Sequence, residues 1–182
     1  NPHFAVLGGD LAYCDNEADE FDEWDEFFTT WTNTMVTPQG HLIPMVPGIG
    51  NHEINDNDRE GTAARPPFYL QLFPELKNQS YFKRQLGDRA VFLMLDSGYL
   101  AQRAGNQAQW LEQQLKSAPP TARTFAVYHT PLYGAHYEWN NNNAKKSRAA
   151  WLELFDQYHL DIGFEHHEHA FKRTVPILKG RH

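Results

Sequence analysis

Four short apolar runs, each followed closely by residues that can bind a metal ion, constrain the fold of this chain most strongly. The runs are residues 4–7, 42–47, 124–128 and 158–164, and they lead to Asp10 with Tyr13, Asn51 with His52, His129, and His167 with His169. Glycines separate the first two runs from their polar residues, which lets the backbone turn there. Parallel strands of an α/β sheet place their chemistry beyond their carboxyl ends, so we expect these side chains to meet at one edge. One such strand end could arise by chance, whereas four in order argue against it.

The segments between these runs predict helices and one hairpin. Residues 19–32 carry aromatic side chains three and four positions apart, which is typical of an amphipathic helix. Further helices are predicted over residues 107–117 and 149–158. Residues 80–84 and 90–96 flank a Gly-Asp turn and predict an antiparallel hairpin. The hairpin makes the sheet mixed, so the fold class is α/β.

Length and composition exclude several classes of protein. A chain of 182 residues predicts a single domain over residues 1–182. A net charge of −7 argues against a nucleic-acid partner, and the lack of a long apolar run argues against a membrane partner. Cys14 is the single cysteine, so there is no disulfide framework. Because the chain begins at Asn1 and not at Met, we expect it to be incomplete at both ends.

The histidine cluster at residues 165–169 allows a metal site. Imidazole suits zinc, iron and manganese, and His167 and His169 on a bent loop can each face one of two neighbouring ions. The alternative is a surface loop that is rich in histidine. For Asp10 the alternative to a ligand is a helix N-cap, and for Tyr13 it is a half-buried packing residue.

Together these residues resemble the binuclear metallophosphoesterases of the calcineurin-like superfamily. The stretches Gly9-Asp10-Leu11-Ala12-Tyr13, Gly50-Asn51-His52-Glu53, His129 and His167-Glu168-His169 match its blocks GDxxY, GNH(D/E), VxxH and GHxH in order. Tyr13 points to the purple acid phosphatase branch. The resemblance runs from Phe4 to about Thr174 and implies a sandwich of two mixed β-sheets flanked by helices.

The resemblance also implies a role for each matching residue. Asp10 would bridge two metal ions. Tyr13 and His169 would bind the first, which is ferric iron in this branch. The second would be divalent zinc, iron or manganese, bound by Asn51, His129 and His167. His52 would assist departure of the leaving oxygen, and His136 lies where the family keeps phosphate-contacting histidines.

The function implied is hydrolysis of phosphate monoesters, on a small molecule or a phosphoprotein, by a metal-bridging hydroxide that attacks phosphorus. The alternatives are a phosphodiesterase with the same metal pair and a metal-binding module without turnover. The resemblance favours a secreted, periplasmic or lysosomal location, which the residues themselves do not indicate.

Two departures from the family pattern stand out. The aspartate that normally precedes this region and binds the first metal has no counterpart, because Asp15 and the later aspartates all follow Tyr13. We therefore expect the first metal to be under-coordinated unless that strand lies upstream. His166 occupies the position of the family's glycine and is expected to strain the loop or change its turn.

Four acidic residues near these motifs receive supporting roles. We predict that the carboxylates of Glu53, Glu165 and Glu168 orient ligand histidines. Asp96, at the end of its strand, is predicted to cap a turn.

Overall fold

The structure is a computed structural model that describes residues 2–55, 67–136 and 139–178. Its strands are β1 (Ala5–Leu7), β2 (Met45–Pro47), β3 (Phe82–Leu86), β4 (Ala90–Leu95), β5 (Arg123–Tyr128) and β6 (Ile162–Glu165). Its α-helices are α1 (Asp22–Thr34), α2 (Phe68–Leu72), α3 (Asn106–Lys116) and α4 (Asn142–Gln157). Short 3-10 turns lie at Ala18–Glu20, Asn51–Glu53 and Pro74–Leu76.

Two sheets carry these strands. β1 pairs with β2 in parallel, and the larger sheet has the order β3-β4-β5-β6. The hairpin pair β3 and β4 is antiparallel, whereas β4, β5 and β6 are parallel. The predicted α/β architecture of two sheets with helices is therefore confirmed. One detail differs: among the described strands only the larger sheet is mixed, because both strands of the hairpin belong to it.

Parallel pairing sets the position of the candidate site. The N–H of Gly48 donates to the carbonyl of Leu7 (2.7 Å), which keeps the loops after β1 and β2 side by side. In the larger sheet the N–H of His166 donates to the carbonyl of His129 (3.1 Å). The loops that carry the predicted ligands thus leave neighbouring strands at their carboxyl ends.

Apolar side chains hold the helices against the sheets in two clusters. In one, Leu93 of β4 packs with Leu111 of α3 and Trp151 of α4, all with no exposed surface. In the other, Trp24 of α1 and Tyr69 of α2 pack beside the smaller sheet. Each such side chain contributes about 1.5–3 kcal/mol of burial free energy. These clusters fix the strands from which the site loops extend.

Two predicted helices have different bounds in the structure. Helix α4 begins at Asn142, well before the predicted start at residue 149. The Asn141 side chain accepts the N–H of Ala144 at 2.9 Å and so caps the helix within the asparagine run. Helix α1 covers Asp22–Thr34, shifted slightly from the predicted 19–32. Within the described ranges, none of the helices combines the length and apolar character needed to cross a membrane.

Candidate metal centre and active site

Three predicted ligands converge on one ring nitrogen of a fourth, His129. Its Nε2 atom lies 3.0 Å from Asp10 Oδ2, 3.1 Å from Asn51 Oδ1 and 3.2 Å from His167 Nδ1. These side chains come from four separate strand ends. His129 itself is 1% exposed, whereas Asp10, Asn51 and His167 are partly exposed.

The donor set fits a bound cation. The other ring nitrogen of His129 lies 2.8 Å from the carbonyl of Gly8 and donates a hydrogen bond to it, so in the neutral imidazole Nε2 carries the lone pair that a cation needs. Ligand bonds of about 2.0–2.2 Å place neighbouring donor atoms of one ion roughly 3.0–3.6 Å apart. The observed separations therefore suit one ion held by Asp10, Asn51, His129 and His167.

The pKa values of two of these groups favour the charge states that metal binding requires. Burial would raise the pKa of Asp10, but the hydrogen bond and charge of His129 outweigh it and lower the pKa. Burial, reinforced by the neighbouring His129 ring, lowers the pKa of His167. An ionised carboxylate and a neutral imidazole are the ligand forms of these side chains.

Tyr13 and His169, the predicted ligands of the first metal, contact each other beside this cluster. Tyr13 Oη lies 2.8 Å from His169 Nε2, and the Tyr13 side chain is 42% exposed. Burial, with smaller effects from the carboxylates of Asp10 and Glu53, raises the pKa of Tyr13. A phenolate at Tyr13 therefore requires a nearby cation.

One cavity brings the remaining predicted residues together. It has a volume of about 490 Å³ and is lined by Asp10, Tyr13, His52, His136, His167, Glu168, His169 and Ala170. Both residues predicted to act on phosphate, His52 and His136, thus share a cavity with ligands predicted for each metal. Their catalytic roles, and the ligand roles of the metal-binding set, stay predictions.

Asp15 contacts His52, a contact that sequence reasoning did not predict. Its Oδ1 atom lies 2.5 Å from His52 Nδ1. The ring of Tyr13 stacks on the ring of His52, with centroids 4.0 Å apart, and so fixes the orientation of the imidazole. The N–H of His52 donates to Asp10 Oδ1 at 3.0 Å. His52 is therefore held by three residues of the first loop. A carboxylate two positions after Tyr13 was the available sequence signal.

Glu53 ties two ligand loops together, and the prediction that it orients a histidine is wrong. It is 2% exposed, and its carboxylate accepts the N–H groups of Asp10 (2.8 Å), Leu11 (2.6 Å) and Gly50 (2.6 Å). Burial raises the pKa of Glu53 despite these donors. The carboxylate thus fixes the backbone next to Asn51 against the backbone of Asp10.

Glu165 and Glu168 also accept backbone N–H groups, and for Glu165 the prediction that it orients a ligand histidine is wrong. Glu165 Oε1 accepts the N–H of Leu132 at 2.8 Å, and Glu168 Oε2 accepts the N–H of Ala135 at 2.6 Å. Lys172, which sequence reasoning gave no role, places its ammonium 2.7 Å from Glu165 and 3.7 Å from Glu168. This trio joins the loop after β5 to the loop after β6.

Several ligand-type residues have a left-handed backbone. The φ angles are 57° at Asp10, 62° at Tyr13, 67° at His167 and 33° at His169. Each such angle in a residue other than glycine costs of order 1–3 kcal/mol, and such residues cluster at functional sites. Sequence pattern does not reveal φ, so this feature was not predicted.

His166 does not carry the backbone strain that was expected of it. The positive φ angles lie at His167 and His169 instead. The His166 ring packs on Gly8, where an added Cβ would lie 2.0 Å from the ring, and its Nδ1 lies 3.1 Å from the carbonyl of Tyr128. His166 therefore fills a contact between loops, and Gly8 makes room for it.

Gly50 shows how closely the first two loops approach. A Cβ at this position would lie 2.3 Å from Asp10 Oδ1 and 2.9 Å from the His129 ring. Glycine is therefore required for Asp10 to reach His129.

Asp96 lies outside this centre and caps a turn, as predicted. Its carboxylate accepts four backbone N–H groups, those of Gly98, Tyr99, Leu100 and Ala101, at 2.6–2.9 Å.

The chain is similar in sequence to known proteins. The family described as calcineurin-like phosphoesterase matches residues 1–171. An uncharacterized protein of Mycobacterium tuberculosis is 26% identical over 97% of the chain and 35% of its own length. From Arabidopsis thaliana, probable inactive purple acid phosphatase 27 is 23% identical over 95% of the chain and 30% of its length. Purple acid phosphatase 21 of the same plant is 25% identical over 94% of the chain and 39% of its own length.

The chain spans about a third of the length of these curated relatives. The family match, in contrast, covers nearly the whole chain and includes every residue of the metal-ligand cluster. The expected resemblance to metallophosphoesterases, with relatives named purple acid phosphatases, is confirmed. This chain belongs to the calcineurin-like phosphoesterase family, whose members use divalent metal ions.

Proposed function

We propose that the protein hydrolyses phosphate monoesters at a binuclear metal centre. The single observation that carries the proposal is the convergence of Asp10, Asn51 and His167 on the Nε2 atom of His129, within 3.0–3.2 Å. Bound cations at such a centre lower the pKa of a shared water and stabilise charge on the phosphate. The metals proposed are ferric iron at Tyr13 and His169 and divalent zinc, iron or manganese at the His129 cluster, because phenolate oxygen suits the harder ion.

His52 supplies the proton for the leaving group in this proposal. Hydrolysis forms one bond from a water oxygen to phosphorus and breaks the bond from phosphorus to the ester oxygen, releasing an alcohol and phosphate. Asp15 accepts from His52 Nδ1, so the proton carried on the opposite ring nitrogen can pass to the departing oxygen. His136, in the same cavity, would contact the phosphate oxygens.

The proposal is tested with the full-length protein loaded with iron and zinc. It should hydrolyse p-nitrophenyl phosphate, and His129→Ala and His52→Ala should lower kcat/KM at least a hundredfold. His41→Ala changes an exposed histidine away from the cavity and should leave kcat/KM unchanged. Faster hydrolysis of bis(p-nitrophenyl) phosphate would identify a phosphodiesterase. Tight metal binding with no turnover of either ester would identify a binding module and refute the proposal.

A further inference from the structure

A second cavity adjoins the proposed active site. Its volume is about 390 Å³, and it is lined by Thr130, Pro131, Asn141, Asn142, Asn143, His167 and Glu168. His167 and Glu168 also line the cavity that contains Asp10 and His52. Thr130 directly follows His129, so the second cavity borders the metal-ligand cluster from two loops.

The side chains around this second cavity are mostly uncharged hydrogen-bonding groups. Three consecutive carboxamides, at residues 141–143, form one wall. Arg103 Nη2 donates to Asn143 Oδ1 at 3.4 Å, which leaves the amino group of that carboxamide as its other hydrogen-bonding end. The Thr130 hydroxyl lies 3.0 Å from Tyr99 Oη and forms a hydrogen bond with it.

The charge of this lining disfavours a second anion. Lysine and arginine are absent from the described residues that line it, and its one charged residue is the carboxylate of Glu168. The Glu168 side chain is 3% exposed and lies 3.7 Å from the Lys172 ammonium, outside the lining. A further phosphate or carboxylate on the substrate would meet amides and the Glu168 carboxylate, with no lysine or arginine among the described lining residues to pair with it.

We propose that this second cavity binds the alcohol part of the phosphate monoester and selects uncharged leaving groups that carry several hydroxyl groups, such as sugars and polyols. Hydroxyls both donate and accept, which suits a wall of carboxamides that carry both functions. The inference rests on the proposed function, because it assigns the substrate class of that same site.

The test compares three substrates with the full-length, metal-loaded protein: glucose 6-phosphate, phenyl phosphate and pyrophosphate. Wild-type kcat/KM should be higher for glucose 6-phosphate than for pyrophosphate, and phenyl phosphate is the reference for a leaving group without hydroxyls. Asn142→Ala and Asn143→Ala should each lower the ratio of kcat/KM for glucose 6-phosphate to that for phenyl phosphate by roughly twofold to tenfold, since each removes one neutral hydrogen-bonding group. Asn143→Lys should raise relative hydrolysis of pyrophosphate.

Asn33→Ala, on the exposed surface of α1, is the matched control and should leave all three values unchanged. Asn142 has no part in the bond to Arg103, so Asn142→Ala keeps the test valid if Asn143→Ala does not fold. Unchanged ratios in both alanine variants, or wild-type preference for pyrophosphate, would overturn the inference while leaving the phosphatase proposal in place. Inactivity on all three substrates would instead overturn the proposed function and the inference with it.

Discussion

Replacing Glu53 should affect both stability and metal binding. Its buried carboxylate accepts three backbone N–H groups at 2.6–2.8 Å, two on Oε2 and one on Oε1. A hydrogen bond to a charged group is worth about 1.5–3 kcal/mol. In Glu53→Gln one oxygen remains and can accept from the two donors at Oε2, while the hydrogen bond from Leu11 is lost. The free energy of unfolding should therefore fall by about 1.5–3 kcal/mol. In Glu53→Ala all three donors lose their partner, but a carboxylate no longer has to be desolvated on folding. The net loss in the free energy of unfolding should be roughly 3–5 kcal/mol.

Urea denaturation of the metal-free protein measures these differences. Glu26→Gln, on the exposed face of α1, is the control and should change the free energy of unfolding by less than about 0.5 kcal/mol. Because Glu53 fixes the backbone beside Asp10 and Asn51, zinc affinity by calorimetry should fall about 10–100-fold in Glu53→Gln. If Glu53→Gln unfolds within about 0.5 kcal/mol of wild type and binds zinc equally well, the reasoning is refuted.

Further predictions concern the supporting charges and the two halves of the metal centre. Lys172→Met leaves two largely buried carboxylates without their ammonium and should destabilise the protein by roughly 2–3 kcal/mol in urea, with partial rescue by Lys172→Arg. Burial raises the pKa of Asp96, so its contribution to stability is fully present below the unfolded value of 3.8 and declines as pH rises through the folded value. That decline should be missing from Asp96→Asn when unfolding is measured from about pH 4 to pH 6. A phenolate bound to ferric iron gives a visible charge-transfer band, so Tyr13→Phe should abolish visible absorption of the iron-loaded protein while divalent zinc remains bound. His129→Ala should instead remove the zinc. Elemental analysis and absorption spectra check both.

The sequence predicted that the candidate ligands would lie together, because strand periodicity and connectivity determine where strand ends meet. An apolar run that ends in Asp10 or His129 indicates a strand end, and parallel pairing brings such ends together. The contacts across loops were not predictable in this way. The bond from Asp15 to His52 depends on the left-handed backbone at residues 13 and 15, which no pattern of side chains reveals.

Acidic residues were harder to interpret than histidines. A buried carboxylate close to a metal motif suggests a partner for a ligand imidazole, yet Glu53 accepts only backbone N–H groups among its described contacts. Loops that approach closely leave N–H groups that strand pairing does not satisfy, and a buried acceptor is required for them. The same need accounts for Glu165 and Glu168, each of which accepts a backbone N–H of the loop after β5.

The two halves of the centre differ in how far the fold itself forms them. Around His129 the predicted ligands lie within 3.0–3.2 Å of one buried nitrogen. Glutamate carboxylates that accept backbone N–H groups hold the loops that carry them. At the other half, Tyr13 and His169 contact each other at 2.8 Å with the phenol 42% exposed. A preorganised set of donors loses less entropy on binding an ion than an exposed pair does. The His129 cluster should therefore fill first as metal is added. The phenolate of Tyr13 should form only when a second cation binds at Tyr13 and His169.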